Sequence, residues 1–173
     1  MKNSSTAKKT ALASLLSALC FLMLFAGSII TVMDLSAAAL ASLIVVVATI
    51  EIGSFYPYLI WLVTSILGLL LLPDKFGSLV FLCFSGYYPM LKSALERLMP
   101  GVSWVLKLIC FNIALSAILA LAKFVFLIDD TSLTFSIVVY AVCNVTFLLF
   151  DIALSKLLCF YFVKIRTRIF KNR

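Results

Sequence analysis

The stretch TALASLLSALCFLMLFAGSIITV, residues 10–32, carries no charged side chain. A helix needs roughly 17 to 25 apolar residues to cross a bilayer, and this run has that length. Lys8 and Lys9 stand just before it, a flank that a secretory signal peptide also has. Its apolar core is longer than the roughly 7 to 15 residues of such a peptide, and no clear small-residue cleavage site follows. The run is therefore expected to stay in the chain as a transmembrane helix. The whole composition repeats the message. Of 173 residues, 65% are hydrophobic and 12% charged, and the mean hydropathy is +1.23. A soluble domain has roughly a quarter of its residues charged, so no water-facing shell can be built here. The sequence reads as an integral membrane protein.

Working outward, apolar runs recur over residues 35–53, 55–72, 76–91, 102–128 and 134–162. Barrel strands would be about 9 to 11 residues long with alternating polarity, which these runs lack. Runs two and four are near the short limit for a span, so a tilted, interfacial or partly re-entrant course stays open for both. The connections TVMDLS, EIGSFYP, LPDKFG and DDTS are short, which makes successive helices antiparallel neighbours. The expected fold is all-α, one domain over residues 1–173 with about six transmembrane helices in an antiparallel bundle. Basic residues sit at both ends, Lys2, Lys8 and Lys9 at one and the KIRTRIFKNR tail at the other. Lys92 and Arg97 fall on the same side, and Asp34, Asp74 and Asp129–Asp130 fall opposite. Positive loops face the cytoplasm, so both termini are expected there, in a multi-pass protein of the cell membrane. The net charge of +7 then reads as orientation and contact with anionic lipid. A nucleic-acid surface would need a folded basic face with aromatic platforms, for which there is no room.

GYYPMLKSALERLMPG, residues 86–101, is the polar exception, placed between the fourth and fifth helices. Tyr87 and Tyr88 suit headgroup depth. A short amphipathic helix over about residues 90–98 puts Leu91, Leu95 and Leu98 on one face and Lys92, Glu96 and Arg97 elsewhere. Two readings stand: a helix lying on lipid, or a docking surface read by a partner through Glu96 and Arg97.

Little chemistry is on offer. The chain has no histidine, which removes His metal ligands and the commonest general base. The five cysteines (Cys20, Cys83, Cys110, Cys143, Cys159) are scattered singly inside apolar runs, where Cys behaves as a small hydrophobe. No phosphate-binding G-x-x-x-x-G-K-[ST] loop occurs. No catalytic residue, metal site or cofactor is expected, and the chain does not read as an enzyme. Polar groups inside apolar helices are expensive and therefore informative. Lys107 and Lys123 lie near opposite ends of the fifth helix and can each reach their own interface. Asn112 and Ser116 share a face of that helix. Asn144, Asp151 and Ser155 form a stripe on the sixth. Asp151 should find a cation, with Lys107 best placed by depth, as a structural ion pair or as a coupling or proton site.

Residues 11–25, ALASLLSALCFLMLF, followed by 32–44, VMDLSAAALASLI, resemble the substrate-binding S components of energy-coupling factor vitamin transporters. The resemblance implies six helices, cytoplasmic ends and a small-molecule solute, with a transmembrane coupling subunit and cytoplasmic ATPases as partners. In that family an Ala-x-x-x-Ala motif on the first helix packs on the coupling subunit. Ala13 to Ser17 is the nearest match, which makes Ala13 and Ser17 the implied coupling positions. Small residues at this spacing also let helix backbones approach closely in lipid. Riboflavin-type members continue into Lys-x-Asp-x-Ser-x-x-Pro. Asp34 and Ser36 match, while Val32 and Ala39 stand where lysine and proline would be. Asp34, Ser36 and Asn144 are thus the candidate solute-binding residues, and Asp34 has a second reading as an N-cap. The chain also resembles rod-shape-determining membrane proteins in length and helix count, which implies a scaffold that binds proteins and no solute.

Overall fold

The computed structural model describes residues 2–30, 33–53, 55–97, 99–124 and 137–160. The Asp129–Asp130 pair, the basic tail and the far ends of the last two apolar runs lie outside them. Every regular element among the described residues is helical: α1 Lys2–Ile29, α2 Asp34–Glu51, α3 Tyr56–Leu71, α4 Phe76–Val80, a π-helical segment Phe81–Ser85, α5 Tyr88–Leu95, α6 Pro100–Phe124 and α7 Ile137–Phe160. Among the described residues, four stretches are long and apolar enough to cross a membrane: Thr6–Ile29, Asp34–Glu51, Gly101–Leu121 and Ile137–Cys159. The helix Tyr56–Leu71 is apolar but shorter. Two compact units divide the chain, Met1–Thr134 and Phe135–Arg173, with α7 in the second.

In the first unit, contacts fix the direction of each helix. Cys20 of α1 meets Ala41 of α2 and Gly27 meets Ala37, so the two run in opposite senses. Thr64 of α3 reaches Ser17, and Gly68 lies near Leu24, so α3 runs with α1. Trp61 pairs with Leu82 and Gly68 with Ser78, which turns the α4–π–α5 segment against α3. Phe84 against Phe111, then Glu96 against Lys107, turns α6 back again. The up-and-down order that short connections demand is therefore present through α6.

The core is made of small side chains. On α2, Ala38, Ala41, Ser42, Val45 and Ala48 are fully buried at helical three- and four-residue steps. A side chain at Gly27 would overlap the methyl of Ala37. Hydroxyls and a thiol reach across to backbone carbonyls: Cys20 Sγ donates to Ala41 O at 3.5 Å and Ser85 Oγ to Ala38 O at 3.2 Å. Such close backbone approach supplies the dispersion contacts that hold helices together in lipid.

Two sequence expectations change. The fourth run was expected as one helix over residues 76–91; it is α4, then a π-helical turn, then α5. Gly86 N–H donates to Phe81 O at 2.9 Å, five residues back. The wider turn leaves the Leu82 carbonyl open to the Trp61 indole, which donates to it at 3.1 Å. The amphipathic helix expected over residues 90–98 is α5, and its polar side is split: Lys92 is buried, whereas Glu96 and Arg97 are exposed. Tyr88, Pro89, Met90 and Lys92 are buried, while Ser93 and Ala94 face outward.

Candidate functional site

At one end of the first unit, α2 begins with Asp34, only 5% exposed. No side chain caps this helix; its N-cap is Met33, so the capping role open to Asp34 is not the one it takes. The carboxyl of Asp34 instead lies beside that of Asp74, close enough for the two to interact electrostatically. Asp74 Oδ1 also accepts the Phe76 N–H at 2.9 Å, an Asx-type turn that starts α4. Gly77 completes the wall: a Cβ there would lie 3.4 Å from Asp34 Oδ1. Two carboxylates this close repel each other. Ser36 does not join them. It is exposed, and its hydroxyl donates to Met33 O at 2.8 Å.

At the other end, α5 and α6 form a charged corner. Glu96 Oε1 accepts from Lys107 Nζ at 3.1 Å and lies 3.3 Å from Lys92 Nζ. Lys92 is 1% exposed and Lys107 3%, whereas the Glu96 side chain is 46% exposed. Lys107 Nζ also sits 5.3 Å from the centre of the Trp104 ring, in cation–π range. The rings of Phe84, Tyr88 and Phe111 pack behind, with centroids 4.8 and 5.1 Å apart.

These positions correct several expectations. Glu96, expected as a position read by a docking partner, bridges two buried lysines. Arg97 is exposed beside it. Lys107 pairs with Glu96, and Asp151, its expected partner, belongs to α7, in the second unit. Asn144 is on α7 too, and its amide donates to Tyr140 O of its own helix at 2.8 Å. Of the α1 positions implied for coupling, Ala13 faces the bundle and Ser17 is half-buried. Ala13 is 8% exposed within the hydrophobic core, and Ser17 O accepts from Thr64 of α3. The inward stripe of α1 is Ala13, Leu16, Cys20 and Leu24, which takes Ala13 out of any outer groove.

Asn112 and Ser116, stacked as their spacing indicates, donate to Leu108 O and Asn112 O on their own helix. They border an open concavity of about 480 Å³ with Leu108, Ile109 and Ile113. Another, of about 600 Å³, lies along Thr6, Ala7, Thr10, Ala11 and Ser14. Neither takes in Asp34 or Ser36. Sequence reasoning missed Lys92 and Asp74. The four-residue step from Lys92 to Glu96 was a signal for the first; nothing local marked the second. Comparison with known proteins finds no matching family model, no similar curated protein and no similar solved structure.

Proposed function

We propose that the chain is a multi-pass protein of the cell membrane that works as an assembly or scaffold subunit, crossing the bilayer six times with both ends in the cytoplasm. The observation that carries this reading is that Asp34 and Ser36, expected together to hold a solute, do not converge. Asp34 is closed in by Asp74 and Gly77, and Ser36 turns outward onto its own helix. A solute pocket concentrates a few convergent polar groups in a concave apolar site. Here the middle of the first unit is filled by Ala, Val, Cys and Leu side chains. Protein partners then have the outer helix faces and the α5–α6 corner to read.

A second reading, the solute-binding subunit served by a coupling subunit and ATPases, draws on one feature. Asp34 and Asp74 meet at the end of the bundle assigned to the outside, where a cationic or hydrogen-bonding solute would arrive. Native mass spectrometry of the protein released gently from membranes separates the two. The scaffold reading expects retained protein subunits and no stoichiometric small molecule. A solute bound one to one, lost on Asp34→Ala, overturns it in favour of the second.

A further inference from the structure

We propose that Lys92 and Lys107 form a notch for a phosphate group, occupied in this structure by the protein's own Glu96 and taken over by an anionic lipid headgroup. Both ammonium groups end on one oxygen, Glu96 Oε1, at 3.3 and 3.1 Å. Their stems are buried, and the glutamate marks one direction from which an anion reaches both. That direction is open, because the Glu96 side chain is nearly half exposed.

Glu96 also stands at a helix end. It closes α5, its N–H donating to Lys92 O at 2.9 Å, and a turn follows it at Arg97. A side chain at a helix end can swing out with little disturbance to the ladder behind it. A phosphate offers several oxygens to two ammonium groups at once, and charge-assisted bonds of this kind are stronger than neutral ones. Neither lysine needs to lack other partners for this exchange; one anion replaces another on the same two donors.

The surroundings suit a lipid. Trp104 borders Lys107, and indole rings favour the membrane–water boundary. Arg97 is exposed next to the glutamate, and basic side chains at that depth attract anionic headgroups. The exposed apolar side chains of Met99, Val102 and Val105 continue from the corner along the start of α6, where acyl chains would lie.

The sign of one substitution separates this from a plain structural ion pair. Glu96→Gln removes the competing anion but keeps the shape. The protein is placed in nanodiscs of phosphatidylcholine with a minor share of phosphatidylglycerol, and retained lipids are counted by native mass spectrometry after release. Wild type should retain phosphatidylglycerol preferentially. Glu96→Gln should retain about three- to tenfold more, the scale of one lost competing charge. Lys107→Gln and Lys92→Gln should lose the preference. If Glu96→Gln retains the same amount or less, the notch proposal fails, even where the lysine variants do not fold. A parallel arm adds inorganic phosphate to detergent-solubilised protein. Thermal stabilisation that is larger for Glu96→Gln means that free phosphate also enters, whereas phosphatidylglycerol retention alone assigns the notch to lipid. No response of Glu96→Gln in either arm overturns the site.

Discussion

A Cβ added at Gly68 would stand 2.5 Å from the Ser78 hydroxyl oxygen and 3.1 Å from its Cβ. That hydroxyl is fully buried and has no hydrogen-bond partner among the described residues; what faces it is the Gly68 backbone, a weak C–H donor at best. Glycine is there so that α3 and α4 can touch. Gly68→Ala should lower stability by about 1–3 kcal/mol through overpacking. Ser78→Ala should raise the melting temperature in detergent by about 2–4 °C, as removal of one unsatisfied polar group is worth about 1 kcal/mol. Circular-dichroism melts check both, and an unchanged Gly68→Ala melt would show that the contact is slack. The Asp34–Asp74 pair gives a second residue-scale test. Asn at position 74 can still accept the Phe76 N–H through its oxygen, while one of two neighbouring carboxyls is removed. Asp74→Asn should therefore melt as high as wild type or higher. Asp74→Ala should melt lower, since it loses the turn that starts α4.

At the scale of elements, the α5–α6 corner reverses an expectation about charge. Glu96→Lys would set a third cation beside two buried ones, and loss on the order of 1–3 kcal/mol follows, discounted because the carboxylate is half in solvent. Expression and melting should both fall; a silent Glu96→Lys would return the glutamate to a surface role. Likewise Ala13→Leu combined with Ser17→Leu should disrupt insertion or melting, because Ala13 sits in the core between α1 and α2. If that double variant folds normally and loses only a partner, the face points outward after all. Apolar length alone located α2 and α3 to within a residue or two, because a run without charge has nowhere to be but lipid. Hydropathy placed the start of α1 too late, since Ala7, Lys8 and Lys9 are good helix formers whatever their polarity. Lys92 was misplaced for a deeper reason. The rule that charges mark the outer face belongs to water, and near lipid a polar head is driven inward to its counter-charge. The Glu96–Lys107 bond and the Asp34–Asp74 pair join residues far apart in sequence, and no local pattern encodes them.

For the whole molecule, the alternation of helix directions through α6 divides the loops into two sets. One holds the connections near Asp74, the other those near Gly53 and Glu96. A thiol-reactive tag inserted between Asp74 and Lys75, in a background without native cysteines, should be labelled from outside intact cells. Tags after residue 3, beside Gly53 and after residue 172 should be reached only after permeabilisation. Labelling beside Gly53 from outside would invert the proposed orientation, and opposite results for the two termini would remove one crossing.

Small-residue packing along α1, α2 and α3 has a calorimetric consequence. When these helices part inside a bilayer, the uncovered surfaces of Ala38, Ala41 and Val45 meet acyl chains and not water. The large positive heat-capacity change of unfolding comes from hydrating apolar surface, and here that hydration hardly occurs. Separation of the helices in lipid should thus have an almost constant enthalpy, and its free energy should fall nearly in a straight line with temperature. A bundle cohering in this way has no cold limit of the kind that bounds a soluble domain, and its grip strengthens steadily as the membrane cools.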